Sequence, residues 1–226
     1  MSPYQWIPQT FRMSEYPTAA DRQWRIDRAG GWLRSGGSVL FLGNASPDES
    51  TAMLTAIAAQ SGAYRILRTA ADPTRRDRPY HTLADLLVTV TDGDLAPLPG
   101  PQRAILSGAP FRTAPQADYF SPAGVRLAVL NLCRRLARTG PLLLVLDNLH
   151  NLDDASTDVL RFLARAAAGL PIQLLATEQL TSTARSTGHR VCPRPLLVLG
   201  LGSLTPADMS NLIDALTLTN PPDARP

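Results

Sequence analysis

Four short runs constrain this chain most: Ser38–Leu42 (S-V-L-F-L), Leu142–Leu146 (L-L-L-V-L), Ile172–Ala176 (I-Q-L-L-A) and Leu196–Leu199 (L-L-V-L). A strand with one face in water alternates apolar and polar residues, whereas a strand apolar throughout is buried on both faces. Stretches with helical spacing separate these runs, so the pattern predicts a parallel sheet covered by helices on both sides. A fifth strand, Tyr64–Ala70, alternates and is β-rich. At 226 residues and 44% hydrophobic content the chain is long enough to bury the core of one sizeable α/β domain. No apolar run approaches the ~20 residues a bilayer-spanning helix needs. The N-terminus has neither a basic start nor an apolar signal core. A cytoplasmic protein with no membrane partner is expected.

The helices follow from spacing and caps. The first is expected over Asp21–Arg34, with Trp24, Ile26, Trp32 and Leu33 as its apolar positions. Others are expected at Pro47–Gln60, His81–Val90 and Gln102–Ala109. Ser121-Pro122 supplies an N-cap and a first-turn proline for a helix to about Arg138. Its stripe is Val125, Leu127, Ala128, Leu130, Leu132, Cys133 and Leu136. Asp153–Ala168 should bury Val159, Leu160, Phe162 and Leu163, and a last helix should begin at Thr205. Asp92–Pro101 and Thr177–Arg194 read as loops. Residues 1–17 form an N-terminal extension, 18–218 the domain and 219–226 a flexible tail. Cys133 and Cys192 lack metal-ligand spacing, as do His81, His150 and His189, and a disulfide is not expected. His150 lies close enough to a strand end to touch a cleft, but an ordinary polar loop histidine is the favoured reading.

The segment Gly43–Thr51 (G-N-A-S-P-D-E-S-T) lies between the first apolar run and a helix, the setting in which a phosphate-binding loop occurs. Against the pattern G-x-x-x-x-G-K-[ST], Gly43 and Ser50 remain, while Asp48 replaces the second glycine and Glu49 the lysine. The chain has 22 Lys and Arg residues in total, every one an arginine, so no lysine can serve from elsewhere. With a net charge of +3 and the arginines spread along the sequence, apart from short clusters at Arg75-Arg76-Asp77-Arg78 and Arg134-Arg135, a solvated surface is the expected reading. With no helix-turn-helix and no aromatic stacking pattern, a direct nucleic-acid partner is not expected.

In order and spacing, these stretches resemble the nucleotide-binding domain of the large ATP-dependent LuxR-family transcriptional regulators, a signal-transducing (STAND) branch of the AAA-like P-loop NTPases. The resemblance covers about residues 20–217 and is carried by Asp21-Arg22, the strand and loop at 38–50, Arg78–Leu87, Leu98–Leu106 and, most strongly, Pro141–Asp153 (P-L-L-L-V-L-D-N-L-H-N-L-D). It implies a three-layer α/β/α sandwich with a five-stranded, mainly parallel sheet in the order 5-1-4-3-2. It makes Pro141–Asp153 a Walker B strand, with Asp147 and Ser50 as the magnesium residues if nucleotide binds. Asn148 stands in place of the second Walker B acid, Glu178 at or near the position of a γ-phosphate-sensing arginine, and Arg22 as a nucleotide contact. The regulators' C-terminal helix-turn-helix has no counterpart in this sequence.

A like-charge pair at ~4 Å costs about 4 kcal/mol at an effective dielectric near 20, so exchanging lysine for Glu49 swings the balance by up to ~8 kcal/mol. Micromolar affinity is itself worth only about 8 kcal/mol. Ser46-Pro47-Asp48-Glu49 instead reads as a capping box, in which Ser46 accepts from the Glu49 backbone and Glu49 reaches back to Ser46. The degenerate nucleotide site thus comprises Arg22, Gly43, Ser46, Asp48, Glu49, Ser50 and Thr51. Asp48, Glu49, Ser50 and Asp147 as a cluster of oxygen ligands for a divalent cation is a minor alternative. A non-hydrolysing regulatory or protein-interaction module is expected, with no catalytic residue, no cofactor and a protein partner (a regulator or a second copy). The alternative is a weak Mg-ATP or ADP switch in which Arg22, Arg185 or Arg190 takes the lysine's place. A third, ranked below both, is nucleic-acid binding through the arginines, with a steep salt dependence.

Overall fold

The computed structural model describes residues 4–5, 19–61, 65–107, 121–179 and 186–201. Six parallel strands form one sheet: β1 (Tyr4–Gln5), β2 (Ser38–Leu42), β3 (Arg65–Ala70), β4 (Leu142–Asp147), β5 (Ile172–Glu178) and β6 (Leu196–Gly200), ordered β1-β6-β2-β5-β4-β3. The five expected strands, β2 to β6, therefore stack as 5-1-4-3-2, the order the sequence implied. The short β1 joins the edge beside β6, with Tyr4 in register with Leu196, and was not foreseen. The helices are α1 (Ala19–Arg34), α2 (Pro47–Gln60), α3 (His81–Leu86), α4 (Asp92–Leu95), α5 (Gly100–Ser107), α6 (Pro122–Leu136), α7 (Asp154–Ala166) and α8 (Gly188–Val191).

Residue parity along each strand assigns the two faces. Val39, Phe41, Leu143, Val145, Leu175, Leu197 and Leu199 form one core with Ile26, Ala29 and Leu33 of α1 and Met53, Leu54 and Ile57 of α2. Leu40, Leu42, Leu144, Leu146, Leu174 and Ala176 face the other way, into a core with Leu83, Val125, Leu132, Leu160 and Leu163. Both faces are covered, which is why the central strands tolerate no polar alternation.

Several expectations are corrected. Trp24 is 40% and Leu127 48% exposed, so neither belongs to the stripe of its helix. α1 buries Ala29 and α6 buries Val129 instead, while Phe162 is only half-buried. α3 ends at Leu86 rather than Val90, and α4 forms inside the expected Asp92–Pro101 break because Thr91 and Asp94 make a complete capping box. β5 runs on through Thr177 to Glu178, and α8 lies within the stretch read as a loop. Most of the extension at 1–17, the helix expected from Thr205 and the tail at 219–226 lie outside the described residues.

α8 is seated very close to the sheet. A Cβ at Gly188 would stand 2.5 and 2.6 Å from the two methyls of Leu40 and 3.0 Å from a Glu178 oxygen. Gly188→Ala is expected to cost ~2 kcal/mol, in the range of an overpacked core, as a lowered urea midpoint at unchanged slope.

Candidate functional site

The carboxyl ends of β2, β5 and β4 lie side by side, and α2 starts directly above them. Asp147, the last residue of β4, is buried and is the centre of a hydroxyl cluster. Its Oδ2 accepts from Ser50 Oγ at 3.2 Å and Thr51 Oγ1 at 2.8 Å, and its Oδ1 accepts from Thr177 Oγ1. Thr177 in turn accepts from the Asn148 backbone N–H at 3.0 Å. Asn148 occupies the left-handed region at φ +61°, which asparagine tolerates better than most residues. The fold thus brings together Ser50, Thr51, Asp147 and Asn148, which lie 96 to 98 positions apart on either side. Thr177 was missed because β5 was expected to stop one residue earlier.

Around this cluster, His150 accepts from the Gln179 N–H through Nδ1 at 3.2 Å, which leaves the ring proton on Nε2 when the ring is neutral. Burial lowers its pKa, the Arg76 guanidinium lowers it further and Asp147 works against both. Arg76 and Asp147 therefore both lie within electrostatic reach of His150, whereas the sequence favoured an ordinary loop histidine.

In the loop, Gly43 takes φ +144° and donates its N–H to the Glu178 carbonyl at 3.1 Å. Ser46 caps α2: its Oγ accepts from the Glu49 N–H at 3.3 Å, and its carbonyl accepts from the Ser50 N–H at 3.0 Å. The reciprocal half of the expected capping box, from Glu49 back to Ser46, is not formed. Pro47 has no N–H, so the first turn of α2 keeps only that of Asp48 for an outside acceptor. Asp48 itself is exposed and Glu49 half-buried.

The arginines are distributed differently from the sequence expectation. Arg22 is exposed, Arg185 lies outside the described residues, and Arg190 is exposed within the electrostatic reach of Glu178. Arg25, one turn after Arg22, is buried; burial lowers its pKa, while Asp21 and then Glu49 counteract this. Glu49 thus lies within electrostatic reach of a buried cation of its own chain. Arg68 reaches over α2 to Thr55 Oγ1 at 2.7 Å and the Thr51 carbonyl at 3.3 Å. No sequence signal singled out Arg25 or Arg68, whose placement follows from how α1 and β3 flank α2.

Glu178 is spent on local structure. Its carboxylate accepts from Ser186 Oγ at 2.6 Å and from the backbone N–H groups of Thr187 and Gly188 at 2.6 and 3.0 Å. Burial raises its pKa, and those hydrogen bonds and Arg190 oppose the rise. One residue beyond Gly188, His189 is buried with both ring nitrogens unpartnered. Burial, then Arg194, hold its pKa down at about 4 against 6.5 in the open chain. The unfolded chain therefore takes up the proton first as pH falls, so this contribution is complete above pH ~6.5 and is lost between there and ~4. Between pH 7.5 and 5 the chain is expected to lose ~2 kcal/mol through this group. Urea unfolding should show His189→Leu reducing that loss, whereas an equally acid-sensitive variant would dismiss it.

The donor set divides in two. Ser50, Thr51, Thr177 and Asp147 present the hydroxyl and carboxylate oxygens that suit a magnesium ion and its waters. In the loop, Asp48 and Glu49 bring negative charge, and the Glu49 N–H is taken by Ser46. Asp48, Glu49 and Asp147 do not form a cation cluster, because no group of three His, Cys, Asp or Glu residues among those described is placed to hold a metal.

Comparison with known proteins bears on the fold. A model described as the AAA ATPase domain matches residues 50–175, beginning just after the altered loop positions. No curated protein matches. Among solved structures, a chain of Drosophila ORC bound to DNA is 15% identical with a TM-score of 0.47, covering 84% of this chain and 96% of that one. A chain of Drosophila ORC bound to AT-rich DNA and Cdc6 gives 15% and 0.41, covering 80% of this chain and 58% of that one. A single-residue variant of Thermotoga maritima RuvB gives 16% and 0.40, with 89% and 51% covered. The last two chains are thus matched over little more than half their length. The matched family model spans more than half of the present chain, and the sheet has the P-loop order with Asp147 and Ser50 meeting at its carboxyl edge. The chain belongs to the AAA ATPase domain family.

Proposed function

We propose that this AAA domain is a regulatory or protein-interaction module related to the LuxR-family regulators, in which triphosphate binding and hydrolysis have been lost. The observation that carries the reading is the start of α2. The backbone N–H of residue 49, which a working loop turns toward phosphate, is donated to Ser46 Oγ, and the side chain there is Glu49, within electrostatic reach of buried Arg25. Asn148 supports it, since an amide can orient a water but cannot take its proton. So does Glu178, which is engaged by Ser186, Thr187 and Gly188 rather than turned to a ligand.

A second reading, a weak Mg-ATP or ADP switch, draws on the Ser50–Asp147 contact and on Arg76 and Arg190, which lie within electrostatic reach of His150 and Glu178 respectively. Calorimetry with Mg-ATP, Mg-ADP and Mg-GTP separates the two. The module reading expects no binding below millimolar concentrations. Micromolar affinity that disappears in Ser50→Ala or Asp147→Ala would establish the switch instead.

A further inference from the structure

The arginines scattered along the sequence are not scattered in space. α6 and α7 pack side by side, and Arg134 Nη2 lies 3.5 Å from the Ala166 carbonyl, so their carboxyl ends meet. The twenty residues 131–140 and 161–170 carry Arg134, Arg135, Arg138, Arg161 and Arg165 and contain no Asp or Glu. Arg134, Arg135, Arg138 and Arg165 are exposed and Arg161 half-buried, with its Nε buried and unpartnered. None of the five is in an ion pair among the described residues, whereas Arg65, Arg75 and Arg126 are matched by Asp94, Asp72 and Asp158. The short helices α4 and α5 bring Arg103, Asp92 and Asp94 to α6, and Asp94 is held by Arg65 at 2.7 Å. The cluster stands at the amino end of the sheet, where β4 begins, opposite the cleft around Asp147.

Part of this charge complements the negative ends of two helix dipoles. Half a unit per helix end does not account for five guanidinium groups with no acid among them. Guanidinium forks match phosphate oxygens. The twenty residues hold no exposed large apolar side chain, the anchor that protein interfaces centre on. They also hold no exposed aromatic ring for stacking unpaired bases. We infer that the carboxyl ends of α6 and α7 form a docking surface for the phosphate backbone of a nucleic-acid duplex, bound without base readout. This surface is separate from the cleft and independent of whether a nucleotide binds there.

The test is fluorescence anisotropy of the full chain with a labelled 20-base-pair DNA. Five phosphate contacts give a log–log salt slope near −4.5, so affinity should fall about 500-fold between 50 and 200 mM salt. With Arg134, Arg135, Arg138 and Arg165 all changed to Gln, the slope should drop toward −1 and the same step should cost about fourfold. Arg75→Gln with Arg78→Gln, outside the cluster, should leave the slope unchanged. Exposed changes of this kind alter stability by no more than about 0.5 kcal/mol, and thermal melting verifies folding. Absence of binding at 50 mM salt would overturn the inference, as would an unchanged slope in the cluster variant. Binding to poly-glutamate or to anionic phosphatidylserine vesicles at least as tight as to DNA would reassign the surface to an acidic protein or a membrane.

Discussion

The double variant Asp48→Gly, Glu49→Lys is expected to bind Mg-ATP in the micromolar range, where the proposed module reading expects no binding by the unaltered chain below millimolar. The two changes restore G-x-x-x-x-G-K-S from Gly43 to Ser50, and the strand and helix flanking the loop already have the required placement. Replacing Glu49 removes a repulsion and adds an attraction of up to about 4 kcal/mol each at contact distance. Two costs set the gain lower. The Glu49 N–H must leave Ser46 Oγ, and the new lysine must sit near buried Arg25, whose charge Glu49 now offsets. A gain of three orders of magnitude, about 4 kcal/mol, is what remains. Adding Arg25→Ala should raise it further. Calorimetry on the folded variants decides: a double variant with an unchanged melting profile that still ignores Mg-ATP would show that something other than the loop charges keeps nucleotide out.

The same residues show how far sequence alone reaches. The strands were legible because burial on both faces leaves no choice of side chain: Leu144 serves one core and Val145 the other. Helix starts were legible where one residue caps its own helix, as Ser46 and Ser121 do. Trp24 and Leu127 were misplaced because helical spacing defines a stripe without saying how wide its cover is, and the neighbouring elements leave those positions open. Of the site, Asp147 and Ser50 were legible through their motifs. Thr177 and Arg25 were not, since a hydroxyl thirty residues after Asp147 and an arginine inside an ordinary helix carry no local pattern. Of the arginine cluster on α6 and α7 only the Arg134-Arg135 pair was legible, because the rest joins it only once the two helix ends meet.

The Asp153 carboxylate, which is 1% exposed, makes the strongest case for a contact that sequence cannot show and stability cannot spare. It caps its own helix by accepting from the Ser156 N–H at 2.8 Å. The same group reaches across 73 and 71 positions to accept from the backbone N–H groups of Tyr80 at 2.9 Å and Thr82 at 3.1 Å. Ser156 completes the joint by accepting from the Leu83 N–H at 3.0 Å. One carboxylate therefore caps α7 and α3 together and holds Tyr80 in the left-handed region at φ +62°. Asp153→Ala would strand three backbone donors, each bond being charge-assisted and worth roughly 1.5–3 kcal/mol. With partial relaxation the expected loss is about 4 kcal/mol, or ~8–16 °C in melting temperature for a domain of this size. Asp153→Asn keeps an oxygen for the Oδ1 partners, Tyr80 and Ser156, but turns an amide NH2 toward the Thr82 N–H. About half the loss should therefore remain. Urea unfolding of both variants checks the order, and an alanine variant within 1 kcal/mol of the unaltered chain would mean that α3 and α7 hold together without this joint.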